Sequence, residues 1–467
     1  MHHRARAHPK FPSIAMLVVL SAMFVVNLTV TAVTVAVPAI ADDLGSPDTT
    51  IVWSVTGPLL VAAVLGPAFG KAGDQAGHRL VLIGGLACNA LFTVLIAAAW
   101  DGISFVVLRI LAAVGSAAVG PSALAFVNRL YEPEDRAGAL GWWSFVSAGS
   151  PVIGVFAGGV IIDAIGWRWL FAAQAPLILL GVVLTAILLP ETDRSGDGRF
   201  DMPGAATLAA GVGGILIAVT LAGTNGVTGQ VIVAAVVGVV ALVAFAAIEV
   251  RADAPLLPPH YWRLRAFVVP AGVLALLFAS YMGSFVLVPL MLQDAAYGFT
   301  AAAVSRVVIA RPLAFSMMGP AAGVLSAKFA PRTLAFLGGS LVVASMLSLS
   351  RIEPGNSLWL TAGALALAGL GMGFASPVLI SVVANAVPDS DLGVAGAAQQ
   401  MLQTVGIVIG IQALQALQVS MAGETASAAD VVDSYGTTFL IGAVVAALGA
   451  ALTLALRVPA VHPSKHH

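Results

Sequence analysis

Apolar residues in this chain come in unbroken blocks about twenty residues long, with no alternation of apolar and polar positions inside them. A block of that length crosses the roughly 30 Å hydrocarbon core of a bilayer as an α-helix. Backbone amides in lipid must bond within their own segment or close a barrel, so blocks without alternation predict helices rather than strands. The blocks fall at residues 13–39, 51–69, 80–99, 103–127, 139–163, 168–190, 204–223, 230–249, 267–292, 301–325, 333–350, 358–386, 393–418 and 435–457. They predict fourteen transmembrane helices and an all-α, polytopic membrane protein.

Composition strengthens this reading. Of 467 residues 59% are hydrophobic and 9% charged, with a mean hydropathy of +1.00, outside the range of soluble globular chains. The first block has no small-residue cleavage signal and is longer than a secretory signal core, which predicts a retained helix. A lone Cys88 excludes an internal disulfide and fits a packing role. No basic tail suggests nucleic acid.

The basic residues orient the chain, because Lys and Arg collect in short cytoplasmic loops. With the N-terminus inside, Arg4, Arg6, Lys10, Lys71, Arg79, Arg129, Arg136, Arg194, Arg199, Arg251, Arg263, Arg265, Lys328, Arg332, Arg457 and Lys465 fall on the cytoplasmic side. Only Arg168 and Arg351 fall outside, and the remaining three of the 21 basic residues lie within the membrane. Both termini are expected in the cytoplasm of a cell with this protein in its plasma (inner) membrane.

Two stretches recur. Gly70-Lys71-Ala72-Gly73-Asp74-Gln75-Ala76-Gly77-His78-Arg79 follows the second helix, and Gly323-Val324-Leu325-Ser326-Ala327-Lys328-Phe329-Ala330-Pro331-Arg332 follows the tenth, 253 residues later. Pro133-Glu134-Asp135-Arg136-Ala137-Gly138 after the fourth helix is matched by Pro388-Asp389-Ser390-Asp391-Leu392-Gly393 after the twelfth, 255 residues later. Each repeat advances eight helices. A duplicated six-helix bundle with two helices inserted between the copies explains the shift, giving bundles at 13–190 and 267–457 and an inserted pair at 204–249. Paired bundles around a midplane site are an alternating-access architecture.

At these residues the chain resembles the major facilitator superfamily, within it the fourteen-helix drug/proton antiporter branch of EmrB/QacA type. The stretch from Gly70 to Arg79 is similar to the superfamily signature G-x-L-a-D-r-x-G-r-k, with Gln75 at its first basic position. Residues 28–38 (LTVTAVTVAVP) resemble the branch pattern L-D-x-T-x-V-N-V-A-L-P, with Thr29 at the acidic position. Ser150 to Gly159 resembles G-x-x-x-G-P-x-x-G-G, with Val155 at its proline. Arg109 occupies the arginine of R-x-x-Q-G-x-G, where Ala112 and Ala113 replace Gln and Gly. The resemblance implies an exporter cycling by alternating access.

The motifs also have physical content. Gly70, Gly73 and Gly77 permit a tight turn, while Asp74 is suited to accept from amides at a helix N-terminus and to pair with Arg79 or Arg136, a latch between helices. Pro151, Gly154, Gly158 and Gly159 on the fifth helix allow close packing at a gate.

Three arginines sit at membrane depth, Arg109, Arg306 and Arg311, and no Asp, Glu or His accompanies them. A central Arg costs roughly 2.5–3.5 kcal/mol on insertion scales, so it should face protein or water. Five residues turn a helix by about 500°, setting Arg306 and Arg311 roughly 140° apart. Arg311 is therefore expected to face a cavity and Arg306 to snorkel toward Asp294. Neutral polar residues complete the expected cavity: Thr29, Asn27, Gln174, and Gln399 with Gln403 one turn apart.

A positive interior favours an anionic, zwitterionic or lipid-like amphiphile over the cations that buried acids attract. Asp163 and Asp294 are the candidate coupling acids if protons drive transport. The expected function is a secondary active exporter of hydrophobic or amphiphilic small molecules, acting as a monomer without metal or cofactor. The alternatives are a multidrug/proton antiporter for cations and a transport-fold sensor without flux. No nucleophile, base or metal set lies at membrane depth, so an enzyme is not expected.

Overall fold

The structure, a computed structural model, describes residues 11–51, 53–192, 201–252, 255–422 and 427–456. Fourteen long helices run through them: α1 (Phe11–Asp43), α2 (Trp53–Ala76), α3 (His78–Ala97), α4 (Gly102–Leu130), α5 (Arg136–Ile165), α6 (Trp167–Leu188), α7 (Met202–Asn225), α8 (Gly229–Glu249), α9 (Arg265–Gln293), α10 (Ala310–Ser326, preceded by a short helix Ala301–Val308), α11 (Pro331–Leu349), α12 (Leu358–Ala384), α13 (Leu392–Ala422) and α14 (Ala428–Leu452). Thirteen are long and apolar enough to cross a membrane, and α5, at 30 residues, is the fourteenth. No strand occurs among the described residues.

Three local differences from the sequence reading have identifiable causes. The stretch from Gly70 to Arg79 is not a loop, since α2 continues to Ala76 and α3 begins at His78 with Gly77 alone between them, at φ +100°. Only glycine takes that conformation without strain. The block expected at 301–325 is interrupted at Ile309. Pro312 follows it and offers no amide to the Val308 carbonyl, which weakens the ladder there. Helix α14 starts seven residues before the expected 435, because Ser427 and Asp430 form a reciprocal cap, with Ser427 N donating to Asp430 Oδ2 at 2.9 Å.

The chain divides into two compact units, one of residues 1–130, 145–257 and 389–405 and the other of 131–144, 258–388 and 406–467. Helices α7 and α8 belong to the first unit, while α5 and α13 are each shared between the two. The first turns of α5 pack inside the second unit, where a side chain on Gly141 would strike the Gly319 backbone and one on Gly323 would lie 2.6 Å from Gly138 Cα. The first turns of α13 pack inside the first unit, where a side chain on Gly396 would meet Leu124 at 2.9 Å.

Within the units, glycines set the closest helix crossings. A Cβ on Gly115 of α4 would sit 2.5 Å from the Gly85 carbonyl oxygen of α3, and one on Gly371 of α12 would sit 2.5 Å from the Gly338 carbonyl oxygen of α11. The crossings are 253 residues apart from Gly85 to Gly338 and 256 from Gly115 to Gly371, within one residue of the 253 and 255 that separate the repeated motifs. Asn89 reinforces the first, its Nδ2 donating to Ala112 O at 3.0 Å and Ser116 Oγ at 2.8 Å.

The inserted pair uses the same device. A Cβ on Gly214 of α7 would lie 2.8 Å from Gly238 Cα of α8, and Gly213 faces Val64 of α2. Polar groups fix its ends. Asp201 caps α7 by accepting from Gly204 N at 2.8 Å, and the buried Glu249 carboxylate accepts from Leu256 N and Leu257 N at 3.1 Å each.

Substituting Gly371 with Ala should force α11 and α12 apart and lower stability by about 1–3 kcal/mol, the usual range for overpacking. Gly363→Ala, at a position with nothing within 4 Å, should leave the thermal unfolding midpoint unchanged or slightly raised.

Candidate functional site

Three constellations hold the charged groups that lipid cannot solvate. The first lies in the first unit. Arg109 of α4 is 7% exposed, its Nε donates to the Ser54 carbonyl of α2 at 3.4 Å, and its guanidinium stands 5.7 Å from the Phe171 ring centroid. Phe171 belongs to an edge-to-face cluster with Phe105 and Trp167, at centroid distances of 5.2 to 6.1 Å. The ring face offers a delocalised cation an apolar but electronegative surface. Nearby on α6, Gln174 is buried and donates to the Val25 carbonyl of α1 at 2.7 Å.

The second constellation lies in the second unit and centres on Arg311. Its side chain is 0% exposed. Nη2 donates to the Tyr281 carbonyl and, at 2.6 Å, to Ser284 Oγ, while the guanidinium lies 4.0 Å from the Tyr281 ring centroid and 5.5 Å from that of Phe285. Among the described residues, Nε and Nη1 find no acceptor. A Cβ on Gly369 of α12 would strike the Arg311 carbonyl, and one on Gly373 would lie 2.9 Å from the Phe315 carbonyl oxygen. Small residues four apart on α12 thus bring α10 close enough for Arg311 to reach α9. The structure encloses Arg311 within its unit rather than on an open surface. Arg306 is exposed on the short helix before α10, and Asp294 accepts from Ala296 N at 2.9 Å.

The third constellation gathers at Asp74, near the end of α2. Asp74 is 2% exposed. Its Oδ1 accepts from His78 Nε2 at 2.9 Å, Arg129 Nη2 at 3.0 Å and Gly393 N at 3.1 Å, and its Oδ2 from Val394 N at 2.9 Å. The carboxylate therefore meets the positive end of α13, as Gly70 does by lying against the Gly393 carbonyl. The helix N-terminus that Asp74 meets is that of α13, and the Arg129 guanidinium pairs with it. Arg79 donates to the Ala186 carbonyl, and Arg136 donates to Asn385 Oδ1 at 2.9 Å.

Among the remaining sequence candidates, Gln399 Nε2 donates to Gln403 Oε1 at 3.0 Å, one turn along α13. Asn27 is half-buried, Pro151 lies inside α5, and Gly154 is buried. Thr29, Gly158, Gly159 and Asp163 lie outside the residues whose side chains are described. Every other carboxylate borne by a described helix sits in its first or last two turns. His78, Arg129, Tyr281, Ser284 and Phe171 were not singled out from sequence. His78 had a signal, standing at a basic position of the signature; the rest are recognised only by what they touch.

The profile of the Major Facilitator Superfamily matches residues 19–411 and, again, 273–467. The chain is 32% identical over 411 residues to puromycin resistance protein pur8 of Streptomyces alboniger, covering 85% of this chain and 80% of that one. It is 25% identical to multidrug transporter protein MdtP of Bacillus subtilis (86% and 74% covered) and 28% identical to the tetracenomycin C resistance and export protein of Streptomyces glaucescens (88% and 76%). Among solved structures, the human organic anion transporter MFSD10 (TETRAN) superposes with a TM-score of 0.66 over 96% of this chain and all of that one, at 13% identity, a likeness of fold.

Replacing Ser284 with Ala should cost about 1–3 kcal/mol, since the enclosed Arg311 guanidinium loses an acceptor. Ser348→Ala, whose hydroxyl serves only its own helix at an exposed site, should leave the unfolding midpoint in place.

Proposed function

From the chain's membership of the Major Facilitator Superfamily, we propose that this membrane transporter is a secondary active exporter of hydrophobic or amphiphilic small molecules, with anionic, zwitterionic or lipid-like compounds preferred. Export is supported by relatives named for multidrug transport, puromycin resistance and tetracenomycin C export. The substrate preference is carried by one observation: among the described residues, the charges deep within the helices are Arg109 and Arg311, with no carboxylate beside either. An arginine is not deprotonated at physiological pH, so the bias is permanent.

Transport proceeds by alternating access. Asp74 holds the start of α13 in one state and releases it in another, and Gly154 on α5 contributes to a close-packed gate. Arg311, enclosed in the present conformation, presents its free Nε and Nη1 donors to substrate after rearrangement. The protein resides in the plasma membrane with both termini in the cytoplasm, works as a monomer, and draws on protons through Asp163 or Asp294.

The test is flux in sealed proteoliposomes, with and without an imposed pH gradient, of a cationic dye (ethidium), an anionic dye (a naphthalene sulfonate) and a zwitterionic lysophospholipid. Flux of the anionic or zwitterionic probe should exceed that of ethidium, and Arg311→Ala should reduce it at least tenfold at unchanged folded yield. Ethidium flux that dominates and survives Arg311→Ala would favour the multidrug/proton antiporter reading supported by the name of MdtP. Absence of flux for all three would overturn the exporter reading for these substrate classes.

A further inference from the structure

His78 has no part in the proposal above, yet it is the only imidazole in the Asp74 constellation among the described residues. It is 0% exposed. Its backbone amide donates to Thr192 Oγ1 at 2.8 Å, which anchors the start of α3 to the segment after α6. Its ring sits between two glycines: a side chain on Gly73 would collide with Nδ1, and one on Gly393 would collide with Cε1. The ring therefore fills the space where α2, α3 and α13 meet.

The ring's two nitrogens face different surroundings. Nε2 lies 2.9 Å from Asp74 Oδ1, while Nδ1 is buried with no partner among the described residues. With the proton on Nε2 the neutral imidazole donates to Asp74 and leaves only a lone pair at Nδ1. A second proton would place an N–H at Nδ1 with no acceptor in reach, and a buried donor left unsatisfied is costly. The charged groups around the ring are Asp74 on α2, Arg129 on α4 and Arg79 on α3, with Glu191 beside Gly77 and Asp389 and Asp391 in the turn before α13. Arg129 and the positive end of α13 already bond to the Asp74 carboxylate, so a third positive group there gains less than the first.

We propose that His78 is the positioning residue that holds Asp74 against the first turn of α13, and that it does so only when neutral. Protonation turns a neutral ring whose idle Nδ1 carries only a lone pair into a cation with a stranded donor, and the Asp74 contact with Gly393 N and Val394 N loosens. Cytoplasmic acidification thereby favours release of α13. The inference rests on the reading of Asp74 as a latch, and the experiment separates the two.

Nitroxide labels are placed at Gln75→Cys and Ser390→Cys in the full chain carrying Cys88→Ser, reconstituted in nanodiscs, and inter-label distances are recorded by pulsed electron resonance from about pH 8 to about pH 5.5, a window that brackets imidazole titration. The population at short distance should fall at least threefold across that window through a single-proton transition. In His78→Gln, which retains a donor near Nε2 but takes up no proton, the short population should persist at every pH; His78→Asn serves the same purpose if the Gln variant does not fold. Asp74→Asn should lose the short population throughout. A pH-independent distribution with His78 intact, or a transition that survives in His78→Gln, overturns the histidine proposal while leaving the latch in place. A short population that persists in Asp74→Asn overturns the latch itself.

Discussion

A guanidinium inside hydrocarbon must be satisfied by the protein that carries it, and this requirement organises both units. Arg311 reaches the Tyr281 carbonyl and Ser284 Oγ only because α10 lies close against α12 at Gly369 and Gly373. The aromatic faces of Tyr281 and Phe285 then take up part of the remaining charge at 4.0 and 5.5 Å. Arg109 repeats the solution in the first unit with a carbonyl from Ser54 and the face of Phe171. Among the described residues, a carboxylate supplies the balance in neither place. Carbonyls, hydroxyls and rings are partial charges, so each cation keeps an outward field that a carboxylate would have cancelled.

That arrangement depends on helices approaching more closely than leucine-faced helices do. Without a hydrophobic force between helices in lipid, association relies on packing and hydrogen bonds, and small residues admit both. Gly85 with Gly115 and Gly338 with Gly371 place this contact once in each unit, and Gly214 with Gly238 extends it to α7 and α8. The repeat seen in the motifs is thus also a repeat of contact chemistry. It explains why α7 and α8 belong to the first unit, since Gly213 faces Val64 on α2 and Glu249 ties down the segment that follows.

How much of this was legible in the sequence varies with the physical origin of each feature. Helix existence was legible because it follows from blocks of apolar residues; α8 matches its block to within one residue. Helix ends were less so, because polar first turns hide them: the start of α14 at Ala428 is set by Ser427 and Asp430, a capping pattern visible in sequence but masked by Asp433 and the surrounding polar residues. The burial of Arg109 and Arg311 was legible as a demand for protein partners, but their identities were not. Ser54, Phe171, Tyr281 and Ser284 lie 27 to 62 residues away along the chain, at spacings with no periodic signature. Asp74 was recognisable as a helix-terminus acceptor, whereas the choice of α13, 319 residues downstream, is a tertiary outcome.

The distribution of titratable groups carries the last step. Deep in the described helices the charges are arginines, which do not change protonation over the physiological range, so the interior of each unit has a fixed electrical character. The carboxyl groups of Asp74, Asp201, Glu249 and Asp430 and the imidazole of His78 stand at helix ends, where they bond to backbone amides or to one another. A proton taken up at such a position changes a cap or a contact between helix termini rather than the charge facing a substrate at midplane. On the proposed reading, substrate preference and proton sensitivity are therefore separable in this chain: a substitution at Arg311 alters what is carried, and one at His78 alters when the helices move.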